Sequence, residues 1–145
     1  MSWKSISNSQ YSKLLGSLET KRENDKDYYR MIVLESHLNS GNFAHGGFLM
    51  SFLDNAMGNA AFKSFDNNPC VTISMTTHFT QSASAGDELI AQPIIEKRTK
   101  TLSFVKCEVF SKDNLIVSGS GIWKSANWKN VQLVKDKMLK DDGGW

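Results

Sequence analysis

Residues 37–58 read HLNSGNFAHGGFLMSFLDNAMG: a polar loop, two adjacent glycines, then a run of Phe, Leu and Met with a single aspartate inside it. From Gly47 the apolar positions Phe48, Leu49, Phe52, Leu53, Ala56, Met57, Ala60 and Ala61 recur at helical spacing, because residues three and four apart share one side of an α-helix. The pattern predicts a helix of about four turns. At about 100° per residue, Ser51, Asn55 and Asn59 form a narrow polar stripe along it. Asp54 lies off that stripe, among Met50, Gly58 and Ala61. A helix with apolar residues on most of its sides is largely surrounded by protein, so Asp54 is not on an ordinary solvated face.

Working outward, Tyr28 to Leu34 (YYRMIVL) is aromatic and β-branched enough for a strand, which the Asn, Ser and Gly of HLNSGN end. Beyond the helix, SFDNNPC is turn chemistry. VTISMTTHF then alternates Val71, Ile73, Met75, Thr77 and Phe79 against Thr72, Ser74, Thr76 and His78, the pattern of a half-buried strand. Glu88–Arg98, Leu102–Ser111 and Leu115–Lys124 are three further strands separated by RTKT and KDN. These breaks are too short for parallel crossovers and predict an antiparallel meander. Strand, long helix, then four strands is an α+β order in which one helix covers one face of a single sheet. Residues 1–27 are read as a polar N-terminal helical extension, with Tyr11, Leu14, Leu15 and Leu18 on one side of a short helix. Residues 28–124 form the domain, and residues 125–145 a weakly helical tail that frays at its Gly-Gly end.

A chain of 145 residues with 40% hydrophobic content suits one domain with one core. Its net charge of +2 comes from interspersed Lys and Asp/Glu, without the long basic block of a nucleic-acid binder. Cys70 and Cys107 lie far apart, form no CxxC pair, and follow an opening, MSWKSISNSQ, without the apolar core of a secretory leader. They are read as reduced thiols in a cytoplasmic protein. No apolar run approaches the roughly 18–20 residues that cross a bilayer. The three histidines are scattered with no metal-ligand spacing, and no cofactor is expected.

The set formed by Asn39, then His45-Gly46-Gly47 opening the helix, then Asp54 two turns in, followed by THFTQSASAGDEL, carries a resemblance. Over roughly residues 28–124 the chain resembles the hotdog-fold acyl-CoA thioesterases of the phenylacetate-degradation type. The resemblance implies an antiparallel sheet wrapped around one long central helix, hydrolysis of an acyl-CoA to free acid and CoA, and a homodimer or homotetramer with sites at the subunit interface. It implies that the Gly46 backbone N–H receives the thioester carbonyl oxygen and that Asn39 holds or polarises the same group. Asp54 becomes the general base or nucleophile, contributed across the dimer. His45 orients the loop, Gly47 belongs to the substrate loop, and Thr72 stands where a Ser or Thr lies near the attacking water. Lys97, Arg98 and Lys100 are read as a solvated edge or as a contact for the CoA phosphates. Ser82 stands where proline is common, and Thr99 where glycine is usual.

Elementary chemistry makes these roles reasonable. Thioester hydrolysis moves negative charge onto the carbonyl oxygen, which suits a backbone N–H at a helix N-terminus. A glycine there lets substrate approach the backbone closely. The second need is an activated water, and a positioned carboxylate base typically contributes ~10² to 10⁴-fold. At 1.5 Å per residue, Asp54 lies about 12 Å beyond Gly46, too far to serve the same carbonyl. A symmetric dimer brings each Asp54 to the other chain's Gly46. The competing readings are a non-catalytic acyl-CoA or lipid-binding hotdog domain and a hotdog 3-hydroxyacyl dehydratase.

Overall fold

The structure, a computed structural model, describes residues 2–6, 9–126 and 131–140. In chain order these form β1 (Lys4–Ser5), α1 (Gln10–Leu15), β2 (Glu19–Glu23), β3 (Lys26–Ile32), a 3₁₀ turn at Glu35–His37, α2 (Gly46–Ser64), β4 (Cys70–Phe79), β5 (Glu88–Arg98), β6 (Leu102–Ser111), β7 (Asn114–Ser125) and α3 (Val131–Lys140). The seven strands make one antiparallel sheet in the order β1-β2-β3-β5-β6-β7-β4. The meander expected from the short breaks is β5-β6-β7, while β4 crosses over to the outer edge beside β7. This is the hotdog arrangement of one sheet and one central helix.

Alternation decides which face meets α2. Leu89 and Ala91 of β5, Val105, Cys107 and Val109 of β6, and Val117 and Trp123 of β7 are buried against it. From the helix, Phe52, Leu53, Ala56 and Met57 are fully buried. Burial of a Phe, Leu or Met side chain is worth about 1.5–3 kcal/mol relative to exposure, so this interface dominates the stability of the fold.

The polar stripe of α2 does not face solvent either, because α1 lies over it. The Tyr11 hydroxyl is 2.7 Å from Ser51 Oγ, Asn55 Nδ2 is 3.4 Å from Ser12 Oγ, and Asn59 donates to the Asn55 carbonyl at 2.7 Å. Here the structure corrects the expected apolar side of the first helix. Tyr11 is 56% and Leu14 82% exposed, while Ser12 turns inward. The reason is length: α1 has six residues and ends at Gly16, whose φ of 107° stops helical periodicity before Leu18. Leu15 packs against the core, and Leu18 is buried from an extended segment.

A second correction concerns the polar run ETKRE, which is strand β2 and hydrogen-bonds to β3 along its length. Asn24 and Asp25, with φ of 51° and 61°, form the two-residue turn between them, the left-handed pair that matches strand twist in a hairpin. The tail expected to be helical contains α3, and its Gly-Gly end lies outside the described residues. Among the described residues, no helix is long and apolar enough to cross a membrane.

Candidate active site

The loop before α2 is held by its own polar groups. Asn39 Oδ1 accepts the N–H groups of Gly41 at 2.9 Å and Phe43 at 3.2 Å, a side chain imitating a backbone turn. Its carbonyl is therefore committed to the loop. The amide nitrogen has no protein partner among the described residues and is the part of Asn39 left to donate to a ligand. His45 is the N-cap of α2, and its Nδ1 accepts the Gly47 N–H at 2.8 Å. This satisfies one of the four N–H groups that a helix start leaves over.

Gly46 is the first residue of the helix and is not in the left-handed region. A turn requirement for positive φ therefore does not explain the glycine. Its N–H has no hydrogen-bond partner among the described residues, so the positive end of α2 presents a free donor. The Phe79 ring lies 3.4–3.9 Å from where a Cβ on Gly46 would stand.

Asp54, half-buried eight residues along, is met by β4. Thr72 Oγ1 donates to Asp54 Oδ1 at 2.7 Å. Simple alternation assigns Thr72 to the same face as Ser74, Thr76 and His78, and here the structure differs from the expectation. A bulge lies between Thr72 and Ser74, with Ile73 the extra residue. An extra residue shifts the period-2 alternation by one. Cys70 and Thr72 face the helix before it, and Met75 and Phe79 face the helix after it. The bulge thus aims the Thr72 hydroxyl at Asp54.

Two contacts now define a furrow between α2 and the sheet edge: Phe79 against Gly46 at one end, and Thr72 against Asp54 at the other. Gly46, Met50 and Asp54 follow one another at i, i+4 and i+8 on that side of the helix. Phe79 and Met50, 52% and 39% exposed, were not singled out as site residues in the sequence because each reads as an ordinary core position. Cys70 lies beneath this site. Burial and the adjacent Asp54 push its thiol up to about 12, so it is protonated near neutrality and is no rival nucleophile.

The basic run is divided. Arg98 donates from Nε to the Ser64 carbonyl at 3.0 Å and from Nη1 to Thr99 O at 2.7 Å, with its guanidinium 4.8 Å from the Phe65 ring centroid. It serves the C-terminal end of α2, where a cation is favourable. Lys97 and Lys100 are exposed. The row Arg98, Ser103, Trp123, Thr72 runs across four adjacent strands, which puts the basic tip roughly 14 Å from Thr72 at ~4.8 Å per strand. Thr99 accepts the Leu102 N–H on its hydroxyl at 3.0 Å, closing the turn in place of a glycine.

A profile described as thioesterase superfamily matches residues 41–118. A Pseudomonas aeruginosa protein provisionally named as an esterase, PA0474, is 32% identical over 104 residues, covering 68% of this chain and 78% of its own length. Among solved structures, the E. coli PaaI protein from the phenylacetic acid degradation operon superposes with a TM-score of 0.70 at 21% identity, covering 83% of this chain and 86% of that one. The BH2602 protein from Bacillus halodurans, solved with CoA, gives a TM-score of 0.71 at 22% identity, covering 77% of this chain and 75% of that one. At these identities the two structures establish a common fold.

Proposed function

The chain belongs to the thioesterase superfamily, and on that premise we propose that it hydrolyses acyl-CoA thioesters, with Asp54 as general base and the Gly46 N–H as oxyanion donor. The observation that carries this reading is the 2.7 Å hydrogen bond from Thr72 to Asp54 at the sheet edge. One carboxylate oxygen is fixed by the hydroxyl, and the other is left to take a proton from water. The attacking hydroxide adds to the thioester carbon, the carbonyl oxygen becomes an anion facing the Gly46 N–H, and collapse expels the CoA thiolate. The Asn39 amide donor and the N-cap of His45 shape the same end of the helix. The CoA-bound fold relative supports CoA as the thiol, with Lys97 and Lys100 the cations available to its phosphates.

In this reading the enzyme is a dimer. Strand β4 is a ten-residue edge that pairs, among the described residues, only with β7, and it exposes Val71, Ile73 and Phe79 at 40%, 54% and 52%. An open, apolar edge of that length invites strand addition. Two copies pairing antiparallel about a two-fold axis near Met75 set Phe79 of one chain opposite the Val71–Thr72 end of its partner. Phe79 marks Gly46 and Thr72 marks Asp54. The pairing thus sets Gly46 of one chain and the carboxylate of its partner on facing sides of the paired edges, so that a shared site no longer has to span the 12 Å or so that separates them along a single helix.

The test is Asp54→Asn, which removes the base and nearly conserves volume. Assayed with acyl-CoA esters from acetyl to palmitoyl and with benzoyl-CoA, using a thiol reagent, kcat should fall by at least ~10²-fold with the melting temperature retained. Unchanged turnover would end the assignment of Asp54. Tight acyl-CoA binding without thiol release by the wild type would favour the non-catalytic binding reading.

A further inference from the structure

His37 is a buried polar side chain that stacks on the first turn of α2, and the proposed mechanism does not use it. It is 5% exposed, yet both ring nitrogens have partners. Nδ1 accepts the Leu34 N–H at 2.9 Å, and Nε2 faces the Leu15 carbonyl at 2.5 Å. An acceptor on one nitrogen and a donor on the other fix the tautomer as neutral, with the proton on Nε2. The ring stacks on Phe48, centroids 3.8 Å apart and planes 9° from parallel. Its backbone carbonyl accepts the N–H of His45 at 2.8 Å. One residue therefore joins the end of α1, the start of the loop, the first turn of α2 and the helix cap.

We propose that His37 is the positioning residue of this site: its neutral imidazole ties α1 and the first turn of α2 to the loop carrying Asn39 and His45, and protonation of the ring releases that loop. An imidazolium has a hydrogen on both nitrogens, so it turns a donor against the Leu34 N–H. No charged side chain is among its partners in the described residues. α1 contributes the Leu15 carbonyl, the loop contributes the Leu34 amide, and α2 contributes an aromatic ring. Glu35, on the same 3₁₀ turn, is exposed, and His45 is joined through its backbone. Burial holds the His37 ring below its ordinary value, against an upward pull from the Leu15 hydrogen bond.

The sign follows from linkage. A histidine held low contributes stability that is complete above its unfolded value of 6.5 and is lost as pH falls below it. If the loop opens to free the ring, opening is favoured more at pH 5.5 than at pH 7.5, with a ceiling of 1 + 10^(6.5−5.5), or about 11, at pH 5.5 for a closed ring that takes up no proton, and of only about 1.1 at pH 7.5. Amide exchange, expressed as protection factors to remove the intrinsic pH dependence, reads this directly.

In the wild type, protection over residues 38–46 should fall between pH 7.5 and 5.5, by up to about tenfold, while β5 and β6 keep theirs. His37→Asn keeps an acceptor near Leu34, and His37→Gln keeps a donor near Leu15. Both variants should lower loop protection at pH 7.5, remove its pH dependence, and reduce kcat several-fold with little change in KM. Wild-type loop protection that is equal at the two pH values would overturn the proposal, as would variants that keep the pH response. So would a loss of protection spread evenly over the whole sheet. The catalytic part rests on the thioesterase reading, but the exchange experiment does not. A wild type that hydrolyses no acyl-CoA yet shows the local pH response would remove the reaction and leave the clamp.

Discussion

A Cβ added to Gly47 would stand 3.0 Å from the His45 Nδ1, the atom that accepts the Gly47 N–H. At Gly46 the same addition meets only the Phe79 ring at ordinary contact distance. The two glycines of the motif therefore do different work: the second leaves room for the cap, and the first leaves the face of a free N–H open. Two effects oppose each other in Gly47→Ala. Alanine gains about 0.8–1.0 kcal/mol of helix propensity over glycine, while displacing the N-cap costs typically ~1 kcal/mol. They nearly cancel, so the melting temperature should stay within about 4 °C of wild type for a chain of this size. Activity should not be spared, because the displaced ring no longer orders the loop, and kcat should drop about tenfold or more. Calorimetry and turnover on one preparation check this, and a variant with wild-type kcat would show that the cap has no part in catalysis.

Among the elements, β4 carries the most information for its length. Gly121 of β7 lies opposite Met75, and a Cβ there would be 2.6 Å from the Ser74 carbonyl and 2.7 Å from the Trp123 ring. The obstacle is backbone on one side and a buried indole on the other, so neither can give way cheaply. Gly121→Ala should cost about 1–3 kcal/mol, as overpacking does, and should push the bulge and Thr72 away from Asp54. Urea unfolding measures the cost, and a variant as stable as wild type would show that β4 adapts. The same element shows where sequence reading succeeds and fails. Strands β5 and β6 have the expected ends, Glu88–Arg98 and Leu102–Ser111, because turn residues bracket both, even though β5 carries a bulge between Ile95 and Lys97. In β4 the strand was legible, but the inserted Ile73 was not, since a bulge leaves no mark in a hydropathy pattern. Thr72 came from the family resemblance, against the face that its alternation indicated. β2 escapes because ETKRE has no apolar alternation, and its turn residues Asn24 and Asp25 lack the glycine that usually marks such a hairpin. His37 was hidden for a different reason: its role comes from partners 22 residues before and 11 residues after it, a relation that no local window contains.

For the whole molecule, the question is whether one chain suffices. For the proposed roles of Asp54 and Gly46, the separation of eight residues along one helix argues against a shared site within a protomer. In the proposed dimer, a second copy paired along the exposed β4 edge would remove that separation. The consequence is quantitative. Asp54→Asn keeps a working Gly46, and Gly46→Val keeps a working Asp54. Each homodimer is expected to be inactive, the second because a branched side chain obstructs the N–H, with a loss of about 10²–10³ in kcat. After an equimolar mixture is denatured and refolded, half of the dimers are mixed if pairing is random. Each mixed dimer then joins one intact Gly46 to one intact Asp54 in one of its two sites. Activity should recover to about a quarter of the wild-type value, from two preparations that separately show about a hundredth or less. If each chain held its own complete site, every chain in the mixture would still carry one defect, and no recovery could occur. Mixed dimers isolated by differently tagged chains but lacking turnover would therefore refute the cross-subunit site, while leaving the assignments of Asp54 and Gly46 to the single variants.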